Sequence, residues 1–120
     1  MDKPLEKNSN QEELKLAIFN SLDVNSNVSQ RTLANDLNVS LGSLNYCLKA
    51  LISKGFVKVQ NFRKSNNKLS YSYILTPKGI TQKLNLTKKF LKQKMLDYQN
   101  LQKEIKILEN ELHGDKKNDK

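Results

Sequence analysis

The chain has 120 residues but a single cysteine, Cys47, a single histidine, His113, and no tryptophan. One thiol cannot close an internal disulfide. One thiol and one imidazole leave a structural zinc site to be built almost wholly from carboxylates, a poor match to the Cys and His sets such sites use. No metal and no cofactor is expected. Two prolines and four glycines set the sequence apart from collagenous and low-complexity chains. No apolar run approaches the ~20 residues that cross a bilayer. The opening MDKPLEKNSNQEEL is polar, without the hydrophobic segment of a secretory signal, so a cytoplasmic location is the expectation. Catalytic signatures are missing as well. There is no phosphate-binding glycine loop, no dinucleotide fingerprint and no pair of carboxylates within the centre of the chain, so the protein is not expected to be an enzyme.

Acid is the most informative absence. From Leu37 to Leu96 there are twelve Lys or Arg residues and no Asp or Glu, while eleven of the twelve acids lie in residues 1–23 and 97–119. The formal charge of +9 is therefore concentrated in the middle, the part that would attract a polyanion. Solubilising lysines are the plainer explanation, but solubility gives no reason to exclude acids over such a length.

What is present reads as helices, a hairpin and a last long helix. Leu14, Ala17 and Ile18 share a face at helical spacing, with Phe19 beside them and Glu12 and Glu13 at the favourable end of the helix dipole, which predicts a first helix from about Glu12 to Asn20. Residues 1–10 read as a flexible lead-in, and SLDVNSN as a break in which Val24 and Val28 tuck against the core. Ser29 is a fitting N-cap for a short second helix from Gln30 to Leu37, and Ser40 for a third from Leu41 to Lys54 whose Leu44, Leu48 and Leu51 turn inward. Gly55 sits where a helix commonly leaves through a left-handed residue. The period then changes to alternation: FVKVQNF and LSYSYILT read as two strands, the second with Leu69, Tyr71, Tyr73 and Leu75 on one side, joined across the polar RKSNNK. Pro77 starts a new helix, with Gly79 softening its first turn.

Two short capped helices joined by a tight turn have the spacing of a helix-turn-helix, and the hairpin after them is a candidate wing. With its leucines inward, the third helix leaves Ser40, Gly42, Ser43, Asn45, Tyr46 and Lys49 on the face open to a major groove. Asn45 can pair with adenine through two hydrogen bonds. Tyr46 offers a hydroxyl and a ring to a thymine methyl, although a partly buried core aromatic is the alternative. Ser40, with the free amides at the helix start, is placed for a phosphate. Gly42 points to close approach of a backbone, of DNA or of the second helix, or is simply tolerated. At the wing, Arg63, Lys64 and Lys68 are candidate DNA contacts, Arg63 for a narrow minor groove; a solvated hairpin end is the other reading. Cys47 reads as a packing residue, with a redox switch as the thinner option, and His113 as an exposed residue near a helix C-terminus.

From Leu84 the apolar residues recur every seventh position, Leu84, Leu91, Tyr98, Ile105 and Leu112, and Leu101 and Leu108 add a second seam, giving a heptad pattern over 98–112. At 1.5 Å per residue the span from Leu84 to Leu112 is about 42 Å. Such a helix must bury its stripe on something, and a second copy of the chain is the expected partner. Tyr98 at a core position leaves a trimer or a fold-back open. Gly114 reads as the stop signal. The expected organisation is a flexible 1–10, a DNA-binding domain over 11–82, a dimerisation helix over 83–113 and a disordered 114–120. The fold class is mainly α with a small β-hairpin wing.

The stretches VSQRTLANDLNVSLGSLNYCLKALISKGFVK, NFRKSNNKLSYSYILTPKGI and LTKKFLKQKM resemble the MarR-type winged-helix regulators, and more closely the subgroup associated with exopolysaccharide gene clusters. The resemblance covers about residues 12–110. It implies a transcription regulator that acts as a homodimer on a palindromic double-stranded operator, with Ser43, Asn45 and Tyr46 on the base-reading part of the third helix and Arg63 on the wing. The chain departs from that family in having little before its first helix, where MarR proteins use helices at both ends to dimerise and to form a ligand crevice. That crevice is not carried over to this chain, and a small-molecule effector stays an open question. The competing function is a protein-interaction adaptor that pairs through its last helix with another helical protein.

Overall fold

The computed structural model describes residues 3–63 and 69–118, with side chains over 10–61 and 71–114. Its elements are α1 (Lys3–Val24), α2 (Gln30–Asp36), α3 (Leu41–Ser53), β1 (Val57–Arg63), β2 (Leu69–Leu75) and α4 (Pro77–Asn118). The fold is mainly helical with a small antiparallel hairpin, a winged helix-turn-helix. By internal contacts the chain divides into two units, Met1–Leu86 and Thr87–Lys120.

Local chemistry sets the boundaries within the first unit. Ser29 and Ser40 stand in extended backbone before α2 and α3, and their hydroxyls accept from the Thr32 and Ser43 amides at 3.1 and 3.0 Å. Each occupies an otherwise unpaired first-turn donor. Both helices end through left-handed residues. Asn38, at φ 57°, closes α2 while the Val39 amide reaches back to the Ala34 carbonyl at 3.0 Å. Gly55, at φ 79°, closes α3 while the Phe56 amide donates to the Leu51 carbonyl at 2.9 Å. This pairing satisfies the carbonyls a helix end would leave open.

The core is what the periodicity gathers. Ile18, Phe19 and Leu22 of α1, Leu33 and Ala34 of α2, and Leu44, Cys47, Leu48 and Leu51 of α3 are buried together with Val57, Tyr73 and Leu86. Fully burying a leucine of this kind contributes roughly 1.5–3 kcal/mol. The Phe19 and Phe56 rings meet edge to face, 6.3 Å between centroids at 80°, an orientation aromatic quadrupoles favour. These buried residues set which face of α3 points outward.

β1 and β2 pair from Val57↔Leu75 to Arg63↔Leu69. The segment before α2 clasps β2: the Tyr73 amide donates to the Ser26 carbonyl at 2.9 Å and the Ser72 hydroxyl to the Asn27 side chain. Thr76 then caps α4, its Oγ1 accepting from the Gly79 amide at 3.0 Å and donating to the Gly55 carbonyl at 2.6 Å. The turn after α3 is thereby tied to the start of α4.

Several sequence expectations are corrected. The backbone is helical from Lys3, well before Glu12, and α1 continues to Val24 rather than stopping at Asn20. The turn from Ile18 to Leu22 buries Leu22, which extends the apolar face, and Val24 falls on the outer side, 89% exposed, instead of tucking inward. Substantial helix therefore precedes the helix-turn-helix. On β2, Ser72 is as buried as Tyr73 while Tyr71 is exposed, because the clasp at Ser26 and Asn27 covers the strand at 72–73 and ends there. Gly114 does not stop α4: it has no positive φ and the helix runs on to Asn118.

The second unit is the remainder of α4. Leu91, Tyr98, Leu101, Ile105, Leu108 and Leu112 are all exposed, as is Leu84 at the end of the first unit. No described helix is long and apolar enough to cross a membrane.

Candidate nucleic-acid interface

The outward face of α3 is built by the inward one. Leu44, Leu48 and Leu51 fix its rotation, and Tyr46, two residues from each of the first two, stands 74% exposed. That position removes the core-aromatic alternative. Ser43 and Lys49 are exposed on the same helix, and Asn45 is half-buried.

At the helix start the hydroxyls are already committed to one another. Ser40 Oγ accepts from the Ser43 amide and donates to Ser43 Oγ at 2.9 Å. Its job in the free protein is the cap, so Ser43 holds the hydroxyl proton left for an outside acceptor. A β-carbon at Gly42 would meet only Ser40 Oγ, 4.0 Å away. The second helix does not press on Gly42, and the space in front of it is open.

Asn45 Nδ2 donates to Gln30 Oε1 at 2.9 Å, and Gln30 Nε2 donates to the Tyr73 hydroxyl at 3.2 Å. The sequence reading gave neither Gln30 nor Tyr73 a part in the site. Gln30 opens a helix, where a polar residue is unremarkable, and only the fold brings residues 30, 45 and 73 together.

The basic residues divide by task. Lys83 pairs with Asp23 of α1. Lys78 Nζ donates to the Lys54 carbonyl at 3.0 Å and lies 5.3 Å from the centre of the Phe56 ring. These two help to hold the fold. Lys49, Lys54 and Lys58 are exposed, with no described acid in the acid-free stretch to offset them. Arg63 ends β1, though its side chain, like Lys64 and Lys68 altogether, lies outside the described residues.

Beside α3 runs a cleft of about 740 Å³, lined by Leu14 and Lys15 from α1 and by Val39, Tyr46, Cys47 and Ala50. Cys47 is buried at its floor. Burial pushes the thiol above its ordinary pKa, and the positive charge of Lys15 pulls it partly back. The thiol is therefore held protonated at neutral pH, as suits a packing residue.

The comparisons with known proteins agree with the fold. A family model for winged helix-turn-helix DNA-binding matches residues 11–58, which run from α1 through α3 into β1. No curated protein matches the chain. Among solved structures, a MarR transcriptional regulator from Methanosarcina mazei Go1 is similar at 20% identity and a TM-score of 0.57, over 71% of this chain and 60% of that one. This chain thus spans less than two thirds of that protein's length. The transcriptional regulator BldR from Sulfolobus solfataricus is similar at 24% identity and a TM-score of 0.54, over 82% and 73% of the two chains. A mutant of MepR from S. aureus, solved bound to an oligodeoxyribonucleotide, is similar at 17% identity and a TM-score of 0.53, over 90% and 82%. At such identities the shared property is architecture, and by that architecture the chain is a winged helix-turn-helix.

Proposed function

We propose that the chain is a MarR-type transcription regulator that binds a palindromic double-stranded operator as a homodimer. The observation that carries the reading is the exposure of Tyr46 on α3, opposite its buried leucines and beside Ser43, Asn45 and Lys49, in a stretch of sequence from which acids are excluded. Such a helix end offers polar side chains to base edges and free amides to a phosphate. The similarity to a protein solved on an oligodeoxyribonucleotide supports the same use of the fold.

Dimerisation is the use this reading gives to the heptads. Leu84, Leu91, Tyr98, Leu101, Ile105, Leu108 and Leu112 are exposed, and over 98–112 both seams of a heptad are apolar, the pattern of helices that pack against one another. Burying them against a second copy removes this apolar surface from water and links two reading heads in one particle. Two copies using Lys49, Arg63, Lys64 and Lys68 would neutralise roughly 6–10 phosphates, and affinity would fall by about 10³–10⁵ between 50 and 200 mM salt. Resemblance to the exopolysaccharide-associated subgroup makes surface-polysaccharide genes the first loci to search, and a cytoplasmic location goes with this role.

Selection of duplexes from a random pool by the full chain tests the proposal. Enrichment of a palindrome with half-site centres about 34 Å apart is expected. Failure to enrich any sequence, with the chain instead held in a complex with another helical protein, would favour the adaptor reading.

A further inference from the structure

Gln30 is the first residue of α2, yet its side chain joins three elements of the first unit. Through Oε1 it accepts from Asn45 on α3, and through Nε2 it donates to Tyr73 on β2. The far end of this relay is fixed. Tyr73 is buried, and its own amide is bonded to the Ser26 carbonyl at 2.9 Å. Gln30 and Asn45 are both half-buried, where a hydrogen bond competes less with water than it does on an open face.

An asparagine on a helix face has two ways to present its amide, with the oxygen or the nitrogen leading, and in water they differ little. A side chain that reads a base must settle on one of them and give up its rotamer freedom on binding. In the bond to Gln30, one hydrogen of Asn45 Nδ2 is engaged, which turns the amide nitrogen toward α2. The remaining hydrogen and the carbonyl oxygen make a donor and acceptor pair, the complement of adenine N7 and N6–H in the major groove.

We infer that Gln30 is a positioning residue for base recognition, holding the Asn45 amide, anchored through Tyr73, in the sense that pairs with adenine. This rests on the operator reading above and adds to it a specificity determinant outside the recognition helix.

The test uses the full chain and its selected duplex, with each base pair of a half-site replaced in turn. Asn45→Ala locates the pair that Asn45 reads, where discrimination falls by about tenfold. Gln30→Ala is expected to lose about as much at that same pair, leaving other pairs and the affinity for a scrambled duplex within about twofold. Gln30→Glu separates positioning from packing. A carboxylate accepts from both Asn45 Nδ2 and the Tyr73 hydroxyl, so discrimination at the pair is kept, while the added negative charge weakens binding to every duplex alike. Should Gln30→Ala fail to fold, Tyr73→Phe removes only the anchoring hydroxyl and is expected to reduce discrimination at that pair by about threefold.

Discrimination retained in Gln30→Ala, or in Tyr73→Phe where that variant stands in for it, overturns the inference. So does an equal loss in Gln30→Ala and Gln30→Glu, or an Asn45→Ala variant that discriminates as wild type does; in these cases operator binding itself still stands. A wild-type chain with no base preference overturns the operator reading and this inference with it.

Discussion

The carbonyl oxygen of Phe56 occupies the space into which a β-carbon on Gly79 would project. The turn after α3 and the first turn of α4 are in backbone contact there, and Thr76 bonds to both sides. Gly79→Ala must push these segments apart and is expected to lower stability by about 1–3 kcal/mol. Gly114 lies in the same helix with nothing near it, so Gly114→Ala is expected to raise helicity, by about 1 kcal/mol at most. Urea titrations of the first variant and circular dichroism of the second check both directions.

Ser40 allows stability and DNA contact to be separated. Ser40→Ala removes the acceptor for the Ser43 amide and is expected to cost about 1 kcal/mol in a denaturant titration. Ser40→Asp restores an acceptor and with it the stability. The same carboxylate stands at the helix start that would face a phosphate, so duplex affinity is expected to fall in Ser40→Asp although the unfolding midpoint is kept. Equal affinity for wild type and Ser40→Asp would place the phosphate elsewhere.

The Cys47 thiol is raised by burial, the charge of Lys15 offsetting part of the effect. Because the folded state disfavours the thiolate, the contribution to stability is fully present below the thiol's unfolded pKa and is lost as pH rises through the higher folded value. Alkylation of the native chain at pH 8 is expected to be much slower than alkylation in urea, and stability to decline on the alkaline side. Equal alkylation rates in the two states would show an accessible thiol.

Much of this was legible in the sequence because period and punctuation agree there. Ser29, Ser40, Gly55 and Pro77 mark the boundaries they were expected to mark, and the spacing of Leu44, Leu48 and Leu51 fixed which face of α3 points out, and so the outward placing of Tyr46. What escaped was either non-local or lacked an apolar signal. Residues 3–11, polar apart from Pro4 and Leu5, carry no stripe to announce a helix, yet the backbone there is helical. Asn38 in a left-handed turn is ambiguous until the helices on both sides are known. The partnership of Gln30, Asn45 and Tyr73 spans 43 residues and depends on where the hairpin docks. Gly79 was read as a soft spot because a glycine in a first helical turn lowers helix propensity; the neighbour that requires it, Phe56, comes from a different element.

Recognition of a defined operator by the outward face of α3 is tested most directly by one ratio: the affinity of the full chain for its selected duplex over its affinity for a scrambled duplex of equal length, both at the same salt. Sequence-specific recognition predicts a ratio of about 10³ or more, falling sharply in Asn45→Ala. A ratio near one, unchanged by that substitution, would contradict it.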